Sequence, residues 1–300
     1  MSESAVRWSI MIPAYNPGAL LQITLASVCE ATSGRDDVEI VVVDDGSMPP
    51  LADADMPENV RLLRNTHNRG PIGNFNRAVE LATGTYVHIL HADDLVRPGY
   101  YESMERGFAA GAGLATCRVE RIDATGRVLG LYRKEQSHAG IWPQAFEVLA
   151  VSNRTPAPAI AVTRSTFELI GDFDETLDHA ADWDMWLRIA SIKPVFYDPA
   201  PLVAYRVHAD QHTAAAMRSG ESIRQALAVI ERLDDRCTDS KQARQLVSRA
   251  YAYRGIFAAR IATEMFRSGN WRSALRQVRL VFVCVWRAAL RRLSRENIDR

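Results

Sequence analysis

The sequence predicts an α/β fold: a Rossmann-type, mostly parallel central sheet flanked by helices, followed by a helical C-terminal extension. Three observations carry this expectation. Between residues 8 and 95, short apolar runs alternate with amphipathic stretches at the spacing of βαβ units. One of those runs, VEIVVVDDGS, is β-branched and presents apolar residues to both sides, as a strand covered on both faces must. Beyond residue 215 the chain is rich in Ala, Arg, Leu and Val and offers no strand candidate.

Taken in order, WSIMIPAY opens as a strand that stops at Pro and Asn. GALLQITLASVCEAT follows as a helix, with Leu20, Leu21, Leu25 and Val28 on one face. VEIVVVDDGS and VRLLRN are the next two strands, GPIGNFNRAVELATG is a helix closed by Gly84, and TYVHILHADD is the fourth strand. Past residue 96 the pattern loosens. PGYYESMERGFAAG reads as helix, GLATCRVERID and RVLGLYRK as a hairpin, and NRTPAPAIAVTRSTFELIG as loop, strand and helix. DWDMWLRIASI is a short helix ended by Pro194, and PLVAYRVH is the last strand. The expected division is an α/β domain over 1–215 and an α-helical region over 216–300.

Bulk composition narrows the function. With 36 basic and 36 acidic residues among 300, the net charge is zero, which argues against bulk electrostatic binding of nucleic acid. Cys29, Cys117, Cys237 and Cys284 form no CxxC pair, so reduced thiols and a cytoplasmic location are expected rather than zinc or disulfides. The start, MSESAVRWSIMIPAYN, has no basic segment followed by an apolar one and does not resemble a signal peptide. LVFVCVW, 280–286, is well short of the roughly 20 apolar residues that span a bilayer.

Ligands of open α/β sheets gather beyond the carboxyl ends of the strands, and three ends here are chemically distinctive. IMIPAYN and VVVDDGS place Tyr15 and the pair Asp44 and Asp45 where they would flank a flat ring; HILHADD adds Asp93 and Asp94. Four carboxylates around one cleft would raise one another's pKa unless a cation neutralised them, and oxygen ligands suit magnesium or manganese. DDGS and ADD taken singly fit a turn or helix cap equally well. Asp182, near the start of HAADWDMWLRI, fits either an N-cap or a general base for an incoming hydroxyl. His208, just after the last strand, fits a structural histidine or a completed metal shell.

In this order and spacing, SIMIPAYN, VVVDDGS, NRGPIGNFNRAVELATGTYVHILHADD, GDFDETLDHAADWDMWLRIA and YRVH resemble the inverting family 2 glycosyltransferases, over residues 8 to about 212. The resemblance implies a nucleotide-sugar-binding GT-A fold for 1–215. It implies nucleoside contacts from Pro13, Tyr15 and Asp45 with Asp44 beside them, and a ribose or sugar contact from Asp93. It further implies a metal bridging the donor diphosphate on Asp94, a further metal or diphosphate contact from His208, and Asp182 as the base. The implied donor is a nucleoside-diphosphate sugar, uridine diphosphate favoured; the implied acceptor is a glycan or lipid-linked hydroxyl, as in cell-surface polysaccharide synthesis. Two positions depart from the pattern: His91 stands where many members carry an acid, and Ala181 where many carry Glu.

Two other readings fit less well. A nucleotidyltransferase would be expected to carry a basic Gly-rich loop after the first strand, and PAYNPGALL has no Lys or Arg; a non-catalytic binding module would have no use for Asp182. A dehydrogenase lacks its GxGxxG. At the C-terminus, residues 270–300 hold eight Arg, no Lys and two acids. Trp271, Leu275, Val278, Phe282, Val285 and Ala289 recur there at helical spacing. Such a helix suits either peripheral contact with the inner face of a membrane or packing on the protein or a homodimer partner.

Overall fold

The computed structural model describes residues 6–207, 212–237 and 239–293. The first part of the chain forms β1 (Trp8–Ala14), α1 (Leu20–Ala31), β2 (Val38–Asp44), β3 (Val60–Arg64), α2 (Gly70–Leu81) and β4 (Tyr86–Ile89). There follow β5 (Leu95–Val96), α3 (Tyr100–Ala109), β6 (Leu114–Ile122), β7 (Val128–Leu131), β8 (Gly140–Ile141) and α4 (Ala145–Val151). The remainder is β9 (Ile160–Thr163), α5 (Arg164–Ile170), α6 (Ala181–Ala190), β10 (Val195–Arg206), α7 (His212–Ser219), α8 (Glu221–Glu231), α9 (Ser240–Arg267) and α10 (Trp271–Leu293).

These elements group into two compact units. One comprises Met1–Pro143, Thr155–Glu175 and Ile192–His208; the other Gln144–Arg154, Thr176–Ser191 and Ala209–Arg300. The units interleave along the chain, each being assembled from three segments. The interleaved pieces have local reasons for joining the helices. Trp183 on α6 donates its indole N–H to the Leu149 carbonyl of α4 at 2.7 Å, and Gln242 on α9 donates to Glu147 on α4 at 3.1 Å.

The first unit is built on one sheet of order β3-β2-β1-β4-β9-β6-β10-β5, with β7 on β6 and β8 on β10. Strands β3, β2, β1 and β4 are parallel throughout, in register Trp8↔Val38 and Trp8↔Tyr86. Beyond β4 the sheet is mixed: β9 runs antiparallel to both β4 and β6, while β6 and β10 pair in parallel. The β6–β7 hairpin forms where the sequence predicts it.

The double-sided burial expected of the apolar strands is present. On one face Trp8, Ile10, Ile12, Ile40 and Val42 pack with Leu21, Leu25 and Val28 of α1 and with Tyr101, Met104 and Phe108 of α3. Met11, Val41, Val43, Val87 and Ile89, pointing to the other side, are also buried, and α2 packs against β1, β2 and β4. Trp8 anchors the first face: its ring lies 4.9 Å from that of Tyr101, and its N–H donates to Glu105 at 2.7 Å. Truncating such a side chain costs about 3–5 kcal/mol.

Among its described residues, the regular elements of the second unit are all helices. Its central device is Asp184 on α6, a buried carboxylate that accepts from Arg188, Arg232 and Arg236. Burial pushes its pKa up, but the Arg236 and Arg188 guanidiniums outweigh this and hold it below the usual carboxylate range. Among the described residues no helix is long and apolar enough to cross a membrane.

Candidate active site

The carboxyl ends of β1, β2 and β4, three neighbours in the sheet, carry most of the residues singled out from the sequence. Pro13 lies half-buried in β1 opposite Val43, and Tyr15 follows at 56% exposure, its ring open to a planar ligand. The β1 and β2 ends are tied together: the Asn16 N–H donates to Ser47 Oγ at 2.9 Å, and the Met48 N–H to Asn16 Oδ1 at 2.8 Å. Gly46, at φ +83, makes the turn after the Asp pair in a conformation that costs a side-chain-bearing residue energy.

The two aspartates of VVVDDGS have different fates. Asp44 is fully buried; Oδ1 accepts the Ser47 N–H at 2.9 Å and Oδ2 pairs with Arg64 at 2.6 Å. Both oxygens accept bonds within the protein, and these bonds shape the turn. Asp45 is 2% exposed, and its Oδ1 accepts from Asn65 Nδ2 at 2.8 Å and from the Arg69 N–H at 2.9 Å. Asn74 completes this network, accepting from Asn65 and donating to the Val43 carbonyl, both at 2.9 Å. Four cleft-lining carboxylates in need of a cation are therefore not what is found: Arg64 neutralises Asp44, and neutral donors fix Asp45.

The β4 end is different. His91, Asp93 and Asp94 each offer one ligand atom within 4.8 Å of the others, forming the metal-compatible cluster of the described residues. Asp94 is fully buried. Its Oδ1 accepts the Arg206 N–H at 2.7 Å, whereas Oδ2 accepts no well-aligned hydrogen bond and is left with the contact to His91 Nδ1 at 3.3 Å. Burial raises the Asp94 pKa to about 6. An orphaned buried carboxylate oxygen flanked by a second carboxylate and an imidazole fits a divalent cation by donor chemistry. The His91 ring is steadied by Phe75, centroid to centroid 5.6 Å.

Arg206 holds this loop and was not singled out from the sequence, although it lies inside YRVH. It is 2% exposed; Nε donates to the Asp93 carbonyl at 2.8 Å, and Nη1 to the carbonyls of Asp123 and Ala124 at 3.0 and 3.2 Å. Thr24 of α1 donates to the Asp94 carbonyl at 2.9 Å. Arg64, Asn65, Asn74 and Arg206 share no local motif with the aspartates they serve; each is a polar residue at a strand end or in the first turns of a helix.

Asp182 belongs to the other compact unit. It sits in the first turn of α6 and is not its N-cap, a position held by Ala180 without a side-chain bond. Oδ1 accepts the Trp183 N–H at 2.6 Å and Oδ2 accepts from Asn153 at 3.0 Å. His208 lies outside the described residues.

Comparison with known proteins agrees with this architecture. An uncharacterized protein of Mycobacterium tuberculosis is 30% identical over 230 residues, covering 72% of each chain. The succinoglycan biosynthesis protein ExoO of Rhizobium meliloti is 33% identical over 134 residues, 43% of this chain and 37% of its own. A crystal structure of S. aureus TarS 1-349 in complex with UDP-GlcNAc matches 92% of this chain and 81% of its own, with TM-score 0.68 at 14% identity, and so shares the fold. The sequence model for glycosyl transferase family 2 matches residues 9–164, the stretch that supplies β1 to β4 and their aspartates, and the chain therefore belongs to that family of glycosyltransferases.

Proposed function

We propose that the protein transfers a hexosyl or hexosaminyl group from a nucleoside-diphosphate sugar to a hydroxyl of a glycan or lipid-linked acceptor, with inversion at the anomeric carbon and with a divalent cation. The observation that carries this reading is the His91, Asp93 and Asp94 cluster, with an unsatisfied buried oxygen on Asp94, at the same sheet end as Tyr15 and Asp45. Tyr15 stacks on the base and Asp45 accepts from the nucleoside; Asp93 faces the ribose or sugar, and Asp94, with His91 beside it, would hold manganese or magnesium. An ion held there would supply positive charge against the negative charge developing on the departing diphosphate. His208 is a further metal or diphosphate contact on the strength of the family pattern alone.

Asp182 is assigned the base. It takes the proton of the acceptor hydroxyl, whose oxygen forms a bond to the anomeric carbon while the carbon–oxygen bond to the diphosphate breaks and its electron pair leaves with the nucleoside diphosphate. A single displacement of this kind needs no protein nucleophile. The catalytic residues all fall within 1–215, and 216–300 is an accessory helical region. A uridine donor is supported by the UDP-GlcNAc complex of TarS, and a polysaccharide pathway by the succinoglycan role in the name of ExoO.

The test is a screen of uridine, guanosine and thymidine diphosphate sugars by thermal shift with and without manganese, followed by release of nucleoside diphosphate from the stabilising donor. Selective stabilisation follows mass action on the folded protein. Asp94→Asn keeps the Oδ1 that accepts the Arg206 N–H and is expected to melt as the wild type does while losing manganese-dependent release. Normal turnover by that variant would refute the metal assignment.

A further inference from the structure

The last helix has a second apolar face that its own unit leaves uncovered. Ala274, Gln277, Cys284 and Ala288 turn α10 inward. The approach to α9 is close: a Cβ added at Gly255 would lie 3.3 Å from that of Cys284. On the opposite side Trp271, Leu275, Phe282 and Trp286 lie along one stripe at helical spacing, each more than half exposed. Monomeric surfaces seldom leave two tryptophans and a phenylalanine in one line.

The charge beside that stripe says what would cover it. Arg272, Arg276 and Arg279 run along its flank, are exposed, and pair with no acidic residue among those described. Arg287, by contrast, is tied back to Glu231 on α8. From Met265 to Arg295 the sequence contains eight arginines and no acidic residue, within a chain of zero net charge. Cationic charge is thus concentrated on the segment that also exposes aromatic side chains. Two copies of this stripe brought together would oppose arginine to arginine. An anionic surface satisfies both features at once, with indole rings at the headgroup level and guanidiniums on phosphate. Trp271 and Trp286 are about 22 Å apart along the helix axis, at about 1.5 Å per residue. Both therefore reach one plane only if the helix lies flat, and no described helix can span a bilayer.

We propose that the outer face of α10 is a docking surface for an anionic phospholipid bilayer, with Trp271, Phe282 and Trp286 inserted and Arg272, Arg276 and Arg279 on the lipid phosphates. This rests on no part of the proposed reaction, and its test does not read transfer. The full-length protein is sedimented with phosphatidylglycerol vesicles and, separately, with phosphatidylcholine vesicles, across a salt series. The expected result is recovery with the anionic vesicles alone, reversed by salt, with protection of tryptophan fluorescence from iodide. The variant R272Q/R276Q/R279Q, altered only at exposed positions, is expected to keep its circular dichroism and melting temperature. Its partition into anionic vesicles should fall about 100-fold, at roughly fivefold per arginine. Failure of the wild type to sediment with anionic vesicles would overturn the proposal, as would equal recovery of the variant. A stable dimer that shields the tryptophans from iodide without lipid would assign the face to a second copy instead.

Discussion

Replacing Arg206 with Lys probes how the Asp93–Asp94 loop is held. The backbone N–H that donates to Asp94 Oδ1 survives substitution by Lys, so the change isolates the side chain. The guanidinium donates in two directions, to the Asp93 carbonyl and to the Asp123 and Ala124 carbonyls of the β6–β7 turn. One ammonium cannot serve both. Ala124 is exposed and water can replace its bond, so the loss concentrates on the Asp93 carbonyl and amounts to about 1–3 kcal/mol. A support that orients a metal-binding loop also sets its affinity, typically by 10–100-fold. Two measurements are needed: urea unfolding of the unliganded protein, and manganese titration followed by calorimetry with uridine diphosphate present. The expected result is a lower unfolding midpoint together with an apparent manganese affinity weakened at least tenfold. A variant that loses stability but binds manganese as the wild type does would refute the reasoning, because Arg206 would then brace only the hairpin.

Three further predictions follow from other contacts. Asp182→Asn should lower kcat by about 10²–10⁴ while leaving nucleotide affinity unchanged, and a matching loss of nucleotide binding would mean that Asp182 organises the donor site. His88 is fully buried, its Nε2 2.8 Å from the Pro158 carbonyl, and burial lowers its pKa from 6.5 to about 4. The unfolded chain binds this proton first, so the contribution is complete above pH 6.5 and falls away as pH drops to 4. The loss is about 3 kcal/mol; urea midpoints at pH 7 and pH 4 should lie further apart in the wild type than in His88→Gln, and equal shifts would count against it. Gly107→Ala puts a Cβ 2.5 Å from Cγ of Phe196, so despite the better helix propensity of Ala it should destabilise by about 1–3 kcal/mol in thermal melts, where a rise would contradict the packing.

The parallel half of the sheet was legible chiefly through β2, whose run is apolar on both faces and long enough to show it: VEIVVV has no other stable place. Where legibility failed, the elements were too short to carry a period. β5 and β8 are two residues each, and α4 is seven, less than two full turns. The direction of β9 was not readable either, since IAVT is equally apolar whichever way it runs; its antiparallel seat is set by its partners β4 and β6. The interleaving of the two units was invisible for a related reason. Trp183 joins α6 to α4 through a carbonyl 34 residues away, a pairing that no local pattern encodes.

For the site, residue types were legible and their division of labour was not. DDGS and HADD look alike as text, yet one aspartate of the first pair closes its turn against Arg64, while Asp94 keeps an oxygen unsatisfied. What separates them is the identity of distant partners: Arg64 lies 20 residues from Asp44, and Arg206 lies 112 from Asp94. An acidic side chain at a strand end is thus ambiguous until its cationic neighbours are placed. A carboxylate whose lone pairs are filled by the protein supports the backbone, and one left buried and half-filled is destabilising by itself. Such a group persists in a fold when something outside the chain completes it, and this asymmetry between Asp44 and Asp94 argues for a ligand more strongly than the count of acids does.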